Sequence, residues 1–399
     1  MDRKIDLLYV IIDVHLTIDN SPVFQSQILD RICMQREAGL CVGVIAIVDD
    51  SARFSKLVVS PLEEIGVSVC SVPNRNSLLR NLLSMCFSLR RYVTRHETRH
   101  IYVRGIWGAF AYRMAFPFGE PPLIYDFRGD LVSEAAARGA SILRQVLLKI
   151  LCRVAFSCAE KMLAVSRPAA DMLALEYGRP GAIVFPSGVD VNWFQRTANR
   201  RDAVRRKYGV KENEILIAYA GGLSQYQMIP EMLTIWKELG ASPDIRFLLL
   251  TNQSLTARNF PNLDLLKEIP FLIYTSVPRR EIPEYLAASD IGFLLREEHP
   301  LNDVASPVKF GEYLASGLAV VTSPGLGDVS RVVVERDVGV LVRPKELAEA
   351  VVACSNLIMR MRQDRDGFRQ RSLTAVYKER WDWREQANEW CALLGRQVV

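Results

Sequence analysis

Short apolar runs alternate with amphipathic segments along the whole sequence, and the runs are rich in β-branched residues. In the first half they predict strands at about Leu7–Val14, Val42–Val48, Val67–Val72, Ile101–Arg104, Leu123–Asp126, Met162–Val165 and Ile183–Phe185. In the second half they predict strands at about Ile215–Ala220, Arg246–Thr251, Phe271–Thr275, Ile291–Leu295, Ala319–Thr322 and Gly339–Val342. A glycine turn at Gly221 and Gly222 opens the second series after a polar connector, Gln195–Arg206. This alternation predicts an α/β protein with two parallel, doubly wound sheets rather than a barrel.

Composition agrees with two ordinary globular domains. The chain has 399 residues, of which 49% are apolar and 24% charged. Its eight cysteines include no C-x-x-C pair, which favours reduced thiols in a cytoplasmic protein over a zinc site or a disulfide framework. No uncharged apolar run approaches the roughly 20 residues of a spanning helix, so we expect neither a membrane span nor an export signal.

The segment from Ser306 to Gly325 predicts a helix, a strand and a glycine turn. Ser306 is a good N-cap, Pro307 suits the first helical turn, and Gly317 ends the helix. Lys309 and Glu312 lie three residues apart and therefore share a helix face.

A cation, a helix N-terminus and a carboxylate on one face suit a sugar nucleotide. Lys309 and the free N–H groups of the helix start favour the diphosphate, and Glu312 can accept hydrogen bonds from both ribose hydroxyls. The alternative from spacing alone is a surface ion pair on an amphipathic helix, because such pairs are common and weak.

The stretch Ser306-Pro-Val-Lys-Phe-Gly-Glu-Tyr-Leu-Ala-Ser-Gly-Leu-Ala-Val-Val resembles the donor-binding helix of family-4 retaining glycosyltransferases of GT-B fold, P-x-K-x-x-E-Y-x-A-x-G-x-P-V. Further stretches resemble the same family in the same order over nearly the whole chain. They are Tyr125-Asp-Phe-Arg-Gly129, Ala164-Val-Ser166, Phe185-Pro-Ser-Gly-Val-Asp190 with Phe194, and Ala218-Tyr-Ala-Gly-Gly222.

The resemblance implies two Rossmann-like domains facing a cleft, with boundaries at about 1–194 and 195–379 and a terminal helix, within 380–399, that packs back on the first domain. It implies a retaining, metal-independent hexosyltransferase without a cofactor, of the surface-polysaccharide type. The donor would be a nucleoside-diphosphate sugar, and the acceptor a saccharide or lipid-linked saccharide. The candidate donor-binding residues are Glu312, Lys309, Arg296, Gly222, Ser306, Gly325, Gly327, Val277 and Asp303.

The sequence departs from the family pattern where the donor is recognised. The first carboxylate of the usual Glu-x7-Glu falls at Val304, so Asp303 or Asn302 would have to replace its contacts. The basic pair usual after the second glycine turn is absent, which leaves the diphosphate to Lys309 and Arg296. The glycine pair usual after the first strand is replaced by Asn20–Gln25.

Three residues of the first domain are catalytic candidates. Arg128 lies where many family members place a histidine near the sugar, just beyond the strand that ends at Asp126. It could contact the donor sugar or the leaving phosphate, or it could form a structural pair with Asp126. His15, just past the first strand, could touch the acceptor, although a lone histidine is more often structural.

Other chemistries have little support in the sequence. No G-x-G-x-x-G follows the first strand, and no P-loop is present. The one D-x-D, Asp364-Arg-Asp366, lies in a charged helical stretch rather than after an apolar strand, so no metal site is predicted. Two rivals remain, a non-catalytic homologue that binds a nucleotide sugar and a sugar-nucleotide epimerase of related fold.

Two basic amphipathic helices allow two interpretations. In Leu78–Arg95, arginines lie opposite the apolar positions, and Ile142–Cys158 carries Arg144, Lys149 and Arg153. Both helices could cover a sheet with a solvated outer face. They could instead dock on an anionic leaflet at the inner membrane face, consistent with a net charge of +5. Nucleic-acid binding is disfavoured because interleaved surface aromatics and a binding motif are lacking.

Overall fold

The computed structural model describes residues 4–12, 25–48, 58–253 and 263–396. The chain divides into two compact units. Unit 1 comprises Met1–Gly188 and Trp383–Val399, and unit 2 comprises Val189–Asp382. Each unit builds its own sheet.

Unit 1 contains a seven-stranded sheet in the order β3-β2-β1-β4-β5-β6-β7, with every neighbouring pair parallel. Its strands are β1 Lys4–Ile11, β2 Val42–Val48, β3 Ser68–Pro73, β4 Glu97–Arg104, β5 Leu123–Phe127, β6 Lys161–Ala164 and β7 Ile183–Val184. Every residue of β2 is buried, as expected for a parallel strand covered on both faces.

The helices of unit 1 connect these strands. They are α1 Asp30–Glu37, α2 Ser60–Glu64, α3 Leu78–Arg95, α4 Ile106–Ala115, α5 Leu131–Ala137, α6 Ile142–Ser157 and α7 Arg167–Tyr177. Parallel crossovers are right-handed, so α3, α4 and α6, which lead to β4, β5 and β6, lie on one face of the sheet. In agreement, α3 packs beside α4 and α4 beside α6.

Unit 2 contains a six-stranded parallel sheet in the order β10-β9-β8-β11-β12-β13. Its strands are β8 Ile215–Ala220, β9 Ile245–Leu250, β10 Leu272–Thr275, β11 Ile291–Leu294, β12 Ala319–Thr322 and β13 Gly339–Leu341. Two apolar clusters, one on each face, enclose this sheet. The prediction of two parallel, doubly wound sheets is therefore confirmed.

The helices of unit 2 cover both faces of its sheet. They are α8 Val191–Arg196, α9 Arg201–Lys207, α10 Ile229–Leu239, α11 Leu263–Glu268, α12 Ile282–Ala288, α13 Pro300–Asp303, α14 Val308–Ala315, α15 Gly327–Glu335, α16 Leu347–Gln363 and α17 Arg365–Lys378. The last helix of the chain, α18 Trp383–Leu393, belongs to unit 1, where Trp390 packs against Tyr102 and Phe185.

The segment Gln195–Arg206 is more regular than the predicted polar connector. It contains the end of α8, a 3-10 turn at Ala198–Arg200 and most of α9. Arg201 and Arg205 of α9 reach the carboxylate of Asp290, at 2.8 and 3.3 Å. Two arginines of the predicted polar connector thus anchor a helix to the sheet through ion pairs with a buried carboxylate.

The predicted start of the donor helix is shifted by one position. Helix α14 begins at Val308, and Pro307 occupies the N-cap with an extended ψ of 126° and no side-chain capping bond. Ser306 therefore precedes the cap instead of forming it. At the other end, Gly317 has a φ of +77°, which only glycine adopts without strain and which ends the helix as predicted.

Candidate functional site

The centre of the unit 2 sheet is a topological switch point. From β8 the chain proceeds outward through β9 and β10, whereas from β11 it proceeds in the opposite direction through β12 and β13. Loops that follow β8 and β11 therefore diverge at the carboxyl edge and leave space for a ligand. Five of the candidate donor-binding residues come after the carboxyl ends of strands and therefore lie at this edge. They are Gly222 after β8, Val277 after β10, Arg296 after β11, and Gly325 and Gly327 after β12.

Helix α14 is fixed to both central strands by one side chain. The Tyr313 hydroxyl accepts a hydrogen bond from the Ala220 N–H at 3.1 Å and donates to the Phe293 carbonyl at 3.1 Å. Gly292 makes room for the ring, because a Cβ at this position would lie 2.5 Å from a Tyr313 ring carbon. The N-terminal turn of α14 is thereby held at the switch point.

Lys309 extends from this first turn toward the loop after β8. Its ammonium donates to the Tyr219 hydroxyl at 2.8 Å and to the Gln227 side-chain oxygen at 3.0 Å, and it lies 4.2 Å from the Tyr219 ring centroid. Burial of the ammonium lowers the pKa of Lys309 well below that of a free lysine, and the nearby Arg296 lowers it further. Glu312 opposes this shift, since its carboxylate raises the pKa.

Gly221 provides the space for this lysine. Its φ is +146°, and a Cβ built there would lie 2.3 Å from both Cε and Nζ of Lys309. The glycine turn therefore has a steric role beyond its conformational freedom.

Arg296 brings a second cation to the same place. The side chain is 7% exposed, its Nη1 donates to the Gln227 side-chain oxygen, and its guanidinium carbon lies 4.9 Å from the Tyr226 ring centroid. Burial lowers the pKa of Arg296. Two cations thus converge on one neutral amide oxygen, which leaves strong positive potential at a helix N-terminus and is the environment that a diphosphate needs.

Glu312 and Ser306 are both half-buried. Glu312 lies one turn after Lys309 on α14, and Ser306 lies two residues before the helix begins. The ribose-binding role of Glu312 and the donor-binding role of Ser306 remain predictions.

The glycine turn after β12 passes close to Asp303 at the end of α13 and to Ala305 just after it. Gly325 has a φ of +69°, and a Cβ there would lie 3.0 Å from the Asp303 carboxylate oxygen. Gly327 has a φ of +47°, and a Cβ there would lie 2.0 Å from the Ala305 carbonyl oxygen. Both glycines are needed for this close approach.

The surroundings of Asn302 and Asp303 in α13 discriminate between these two substitutes for the missing glutamate. Val304 is buried, so its position carries a packing side chain. The Asn302 amide donates to the Glu297 carbonyl at 2.7 Å and is committed to the loop. Asp303 is exposed beside Gly325 and is the better placed of the two. Val277 is half-buried against the sheet core, and its part in donor binding stays a prediction.

In unit 1, Asp126 is the centre of a buried charge network. One of its carboxylate oxygens, Oδ2, accepts hydrogen bonds from the Tyr102 hydroxyl, from Arg31 Nη1 at 3.3 Å and from Arg128 Nε at 2.6 Å. Arg31 also lies 4.9 Å from the ring centroid of Trp383. Asp126 therefore holds Arg128, as in the structural-pair interpretation.

Arg128 has further N–H groups that do not bind Asp126. Its Nη1 donates to the Ser187 hydroxyl at 3.2 Å, while its buried Nη2 has no hydrogen-bond partner among the described residues. A guanidinium N–H thus remains for a further acceptor. His15, the third candidate of this domain, lies outside the described residues.

No cluster of three or more histidine, cysteine or acidic side chains suited to a metal occurs in the described ranges. Asp364 of the D-x-D sequence caps α17 by accepting from the Gly367 N–H at 3.0 Å and also pairs with Arg371. Within the same ranges, no helix has the length and apolarity needed to cross a bilayer.

Sequence reasoning missed Gln227, which binds both cations, and Tyr219, which binds Lys309. Gln227 lies in a 3-10 turn, Gln225–Gln227, directly after the glycine turn. The sequence feature that could have indicated Gln227 is the polar stretch Leu223-Ser-Gln-Tyr-Gln-Met, which stands where the family has its basic pair.

Comparison with known proteins agrees with this geometry. Residues 214–358 match the model of a family described as glycosyl transferases group 1. No curated protein sequence matches the chain significantly.

Solved structures match over nearly their whole length. Sucrose-phosphate synthase from Thermosynechococcus elongatus is 14% identical with a TM-score of 0.69, covering 97% of this chain and 98% of its own. Anabaena HepE in complex with UDP-glucose is 16% identical with a TM-score of 0.67, covering 97% and 99%. WaaG, a glycosyltransferase involved in lipopolysaccharide biosynthesis, is 14% identical with a TM-score of 0.64, covering 96% and 99%. The chain therefore has the GT-B fold, and the family match within unit 2 supports a glycosyltransferase.

Proposed function

We propose that this protein transfers a hexosyl group from a nucleoside-diphosphate sugar to an acceptor hydroxyl, with retention and without a metal ion. The acceptor is a glycan or a lipid-linked saccharide, and the product belongs to surface polysaccharide or glycoconjugate synthesis. The reaction takes place in the cytoplasm, in keeping with eight unpaired cysteines.

One observation carries the proposal. Lys309 and Arg296 converge at the switch point of a sheet whose residues match the group 1 glycosyltransferase model. Charge develops on the diphosphate as the glycosidic bond breaks, and preorganised cations that already face this position stabilise the transition state without reorganisation.

The remaining roles rest on the family resemblance and, for His15, on its place after the first strand in the sequence. Glu312 accepts hydrogen bonds from the ribose hydroxyls, and Asp303 beside Gly325 replaces the missing glutamate at the sugar. Arg128, held by Asp126, contacts the donor sugar or its phosphate through the N–H groups that the network leaves over. His15 contacts the acceptor. Retention rests on the family resemblance alone.

Uridine nucleotides are the first donors to test, because the structure of HepE, which shares the fold, contains UDP-glucose. The rivals are a non-catalytic nucleotide-sugar-binding homologue and a sugar-nucleotide epimerase. The valine at position 304 favours the first rival, because it removes one of the two carboxylates of the family motif.

A donor panel separates these functions. The protein is incubated with UDP-, GDP- and ADP-sugars and saccharide acceptors, and free nucleoside diphosphate and new glycoside are measured. Transfer releases both, an epimerase changes the sugar of the donor, and a binding protein shifts the calorimetric signal without products. Transfer should persist in EDTA, and its complete loss with recovery in Mn²⁺ or Mg²⁺ would contradict the metal-independent mechanism.

A further inference from the structure

Helix α6 has large apolar side chains on two opposite sides. Cys152, Ala155 and Phe156 are buried against unit 1. Six other apolar residues lie on the outward side, at helical spacings that form one stripe, and Ile142 and Leu143 are 79% and 80% exposed. We call this stripe the outer apolar face, and it consists of Ile142, Leu143, Val146, Leu147, Ile150 and Val154. The outer side of α6 is therefore mainly apolar, with Arg144 and Arg153 exposed among its apolar side chains, rather than the polar face expected of a sheet-covering helix.

Neighbouring elements extend this surface. Helices α3, α4 and α6 lie side by side on one face of the sheet. Each of the first two adds exposed apolar side chains, with Phe87 on α3 at 70% exposure, and Phe118 just after α4 at 96%. Large exposed apolar side chains on adjacent helices are typical of an interaction site in a soluble domain.

The charge of these helices identifies the partner. Helices α3, α4 and α6 contain no aspartate or glutamate. Their basic residues are Arg80, Arg90, Arg91, Arg95, Arg113, Arg144, Arg153 and Lys149, of which Lys149 pairs with Glu176 of α7 at 2.6 Å. A second copy of this chain would bring like charges together across the contact, whereas an anionic lipid surface complements them.

We propose that the outer apolar face inserts into the headgroup and acyl boundary of an anionic lipid bilayer, with the surrounding arginines on lipid phosphates. One side of α6 is buried in unit 1 and only the opposite side is exposed, so the helix, about 24 Å long, lies in the plane of the interface rather than across the bilayer. This surface belongs to unit 1 and uses none of the residues proposed for transfer, so the proposal does not depend on the transfer reaction.

The test is co-sedimentation of the full chain with vesicles of phosphatidylcholine alone or mixed with phosphatidylglycerol, at low and high salt. The variant Leu143→Gln/Leu147→Gln/Ile150→Gln removes apolar side chains that are exposed. The matched control, Val334→Gln/Val352→Gln/Met359→Gln, changes equally exposed apolar residues of unit 2. A third variant, Arg144→Gln/Arg153→Gln, keeps the apolar face and lowers the charge.

The apolar variant should bind mixed vesicles about tenfold more weakly or worse at both salt concentrations, while the control binds like the wild type. The arginine variant should lose affinity mainly at low salt, because lipid charge is screened at high salt. Circular dichroism and nucleotide calorimetry should show all variants folded with unchanged donor binding.

Three outcomes overturn the proposal. They are equal sedimentation of wild type and apolar variant, no vesicle binding by the wild type, and a wild-type dimer that the apolar variant converts to monomer. The last outcome, measured by light scattering without lipid, would assign the face to a second copy.

Discussion

Replacing Gly221 with alanine should weaken nucleotide binding through Lys309. The new Cβ would lie 2.3 Å from Cε and Nζ of this lysine, whereas ordinary carbon contacts begin at about 3.5 Å. The lysine must therefore retreat by about 1 Å, because its flexible end moves more readily than the backbone at the end of β8. This movement breaks the 2.8 Å bond to Tyr219 and the 3.0 Å bond to Gln227.

The expected loss of affinity follows from this displacement. With an effective dielectric constant of about 20, moving a unit charge from about 4 Å to about 5 Å from a phosphate weakens the attraction by about 1 kcal/mol, or roughly fivefold in dissociation constant. Folding is also affected, since the φ of +146° is unfavourable for alanine and costs about 1–3 kcal/mol of unfolding free energy.

The assay combines titration calorimetry with UDP, GDP or ADP and urea denaturation. Gly209→Ala is the control, because Gly209 also has a positive φ, +67°, but a Cβ there meets nothing within 4 Å. It should lose stability without losing affinity. If folded Gly221→Ala binds the nucleotide as tightly as wild type, Lys309 does not hold the diphosphate.

Three further outcomes are expected. Glu312→Ala should lose charge-assisted hydrogen bonds to the ribose worth about 2–4 kcal/mol, which weakens nucleotide affinity, measured by calorimetry, about 30- to 1000-fold. Unchanged affinity in the folded variant would show that Glu312 does not bind the ribose. Burial lowers the pKa of Lys309 and a bound diphosphate raises it, so affinity should be highest below the lowered pKa and fall as pH rises above it. Calorimetry in buffers of different ionisation enthalpy should then show proton uptake on binding, and its absence would argue against a neutral fraction of the free lysine. Asp126→Ala should lower the free energy of unfolding, measured by urea denaturation, by about 3–5 kcal/mol, because two buried guanidinium groups lose their carboxylate. Asp264→Ala, which breaks an exposed ion pair, should change stability little. Equal effects of the two substitutions would contradict the buried network.

The strands were predictable because those of a parallel sheet are buried on both faces and appear as continuous apolar runs. Strand β2 illustrates this, since its predicted and observed bounds agree and all its residues are buried. The order of the strands was not predictable from the runs, because alternation along the chain does not specify which strands become neighbours. The adjacency of β8 and β11, which creates the switch point, emerges only from the folded sheet.

The candidate site was predictable where one helix carries the chemistry. Lys309 and Glu312 follow from the pattern of α14, but Gln227 lies far earlier in the chain and meets Lys309 only through the sheet. Helix α6 shows a second limit of prediction from sequence. Its sequence is apolar on two sides, so spacing alone could not tell that Phe156 would be buried while Leu143 remained outside.

The return of α18 to unit 1 has a consequence for biosynthesis. Trp390 fills a place in the first core between Tyr102 and Phe185, and the chain reaches it only after all of unit 2 has been made. At a translation rate of about 5–20 residues per second, residues 189–382 take about 10 to 40 s. During this interval the nascent first unit leaves apolar surface uncovered beside the ribosome. Unit 2, whose residues are continuous in sequence, can therefore complete its core before the unit that was started first.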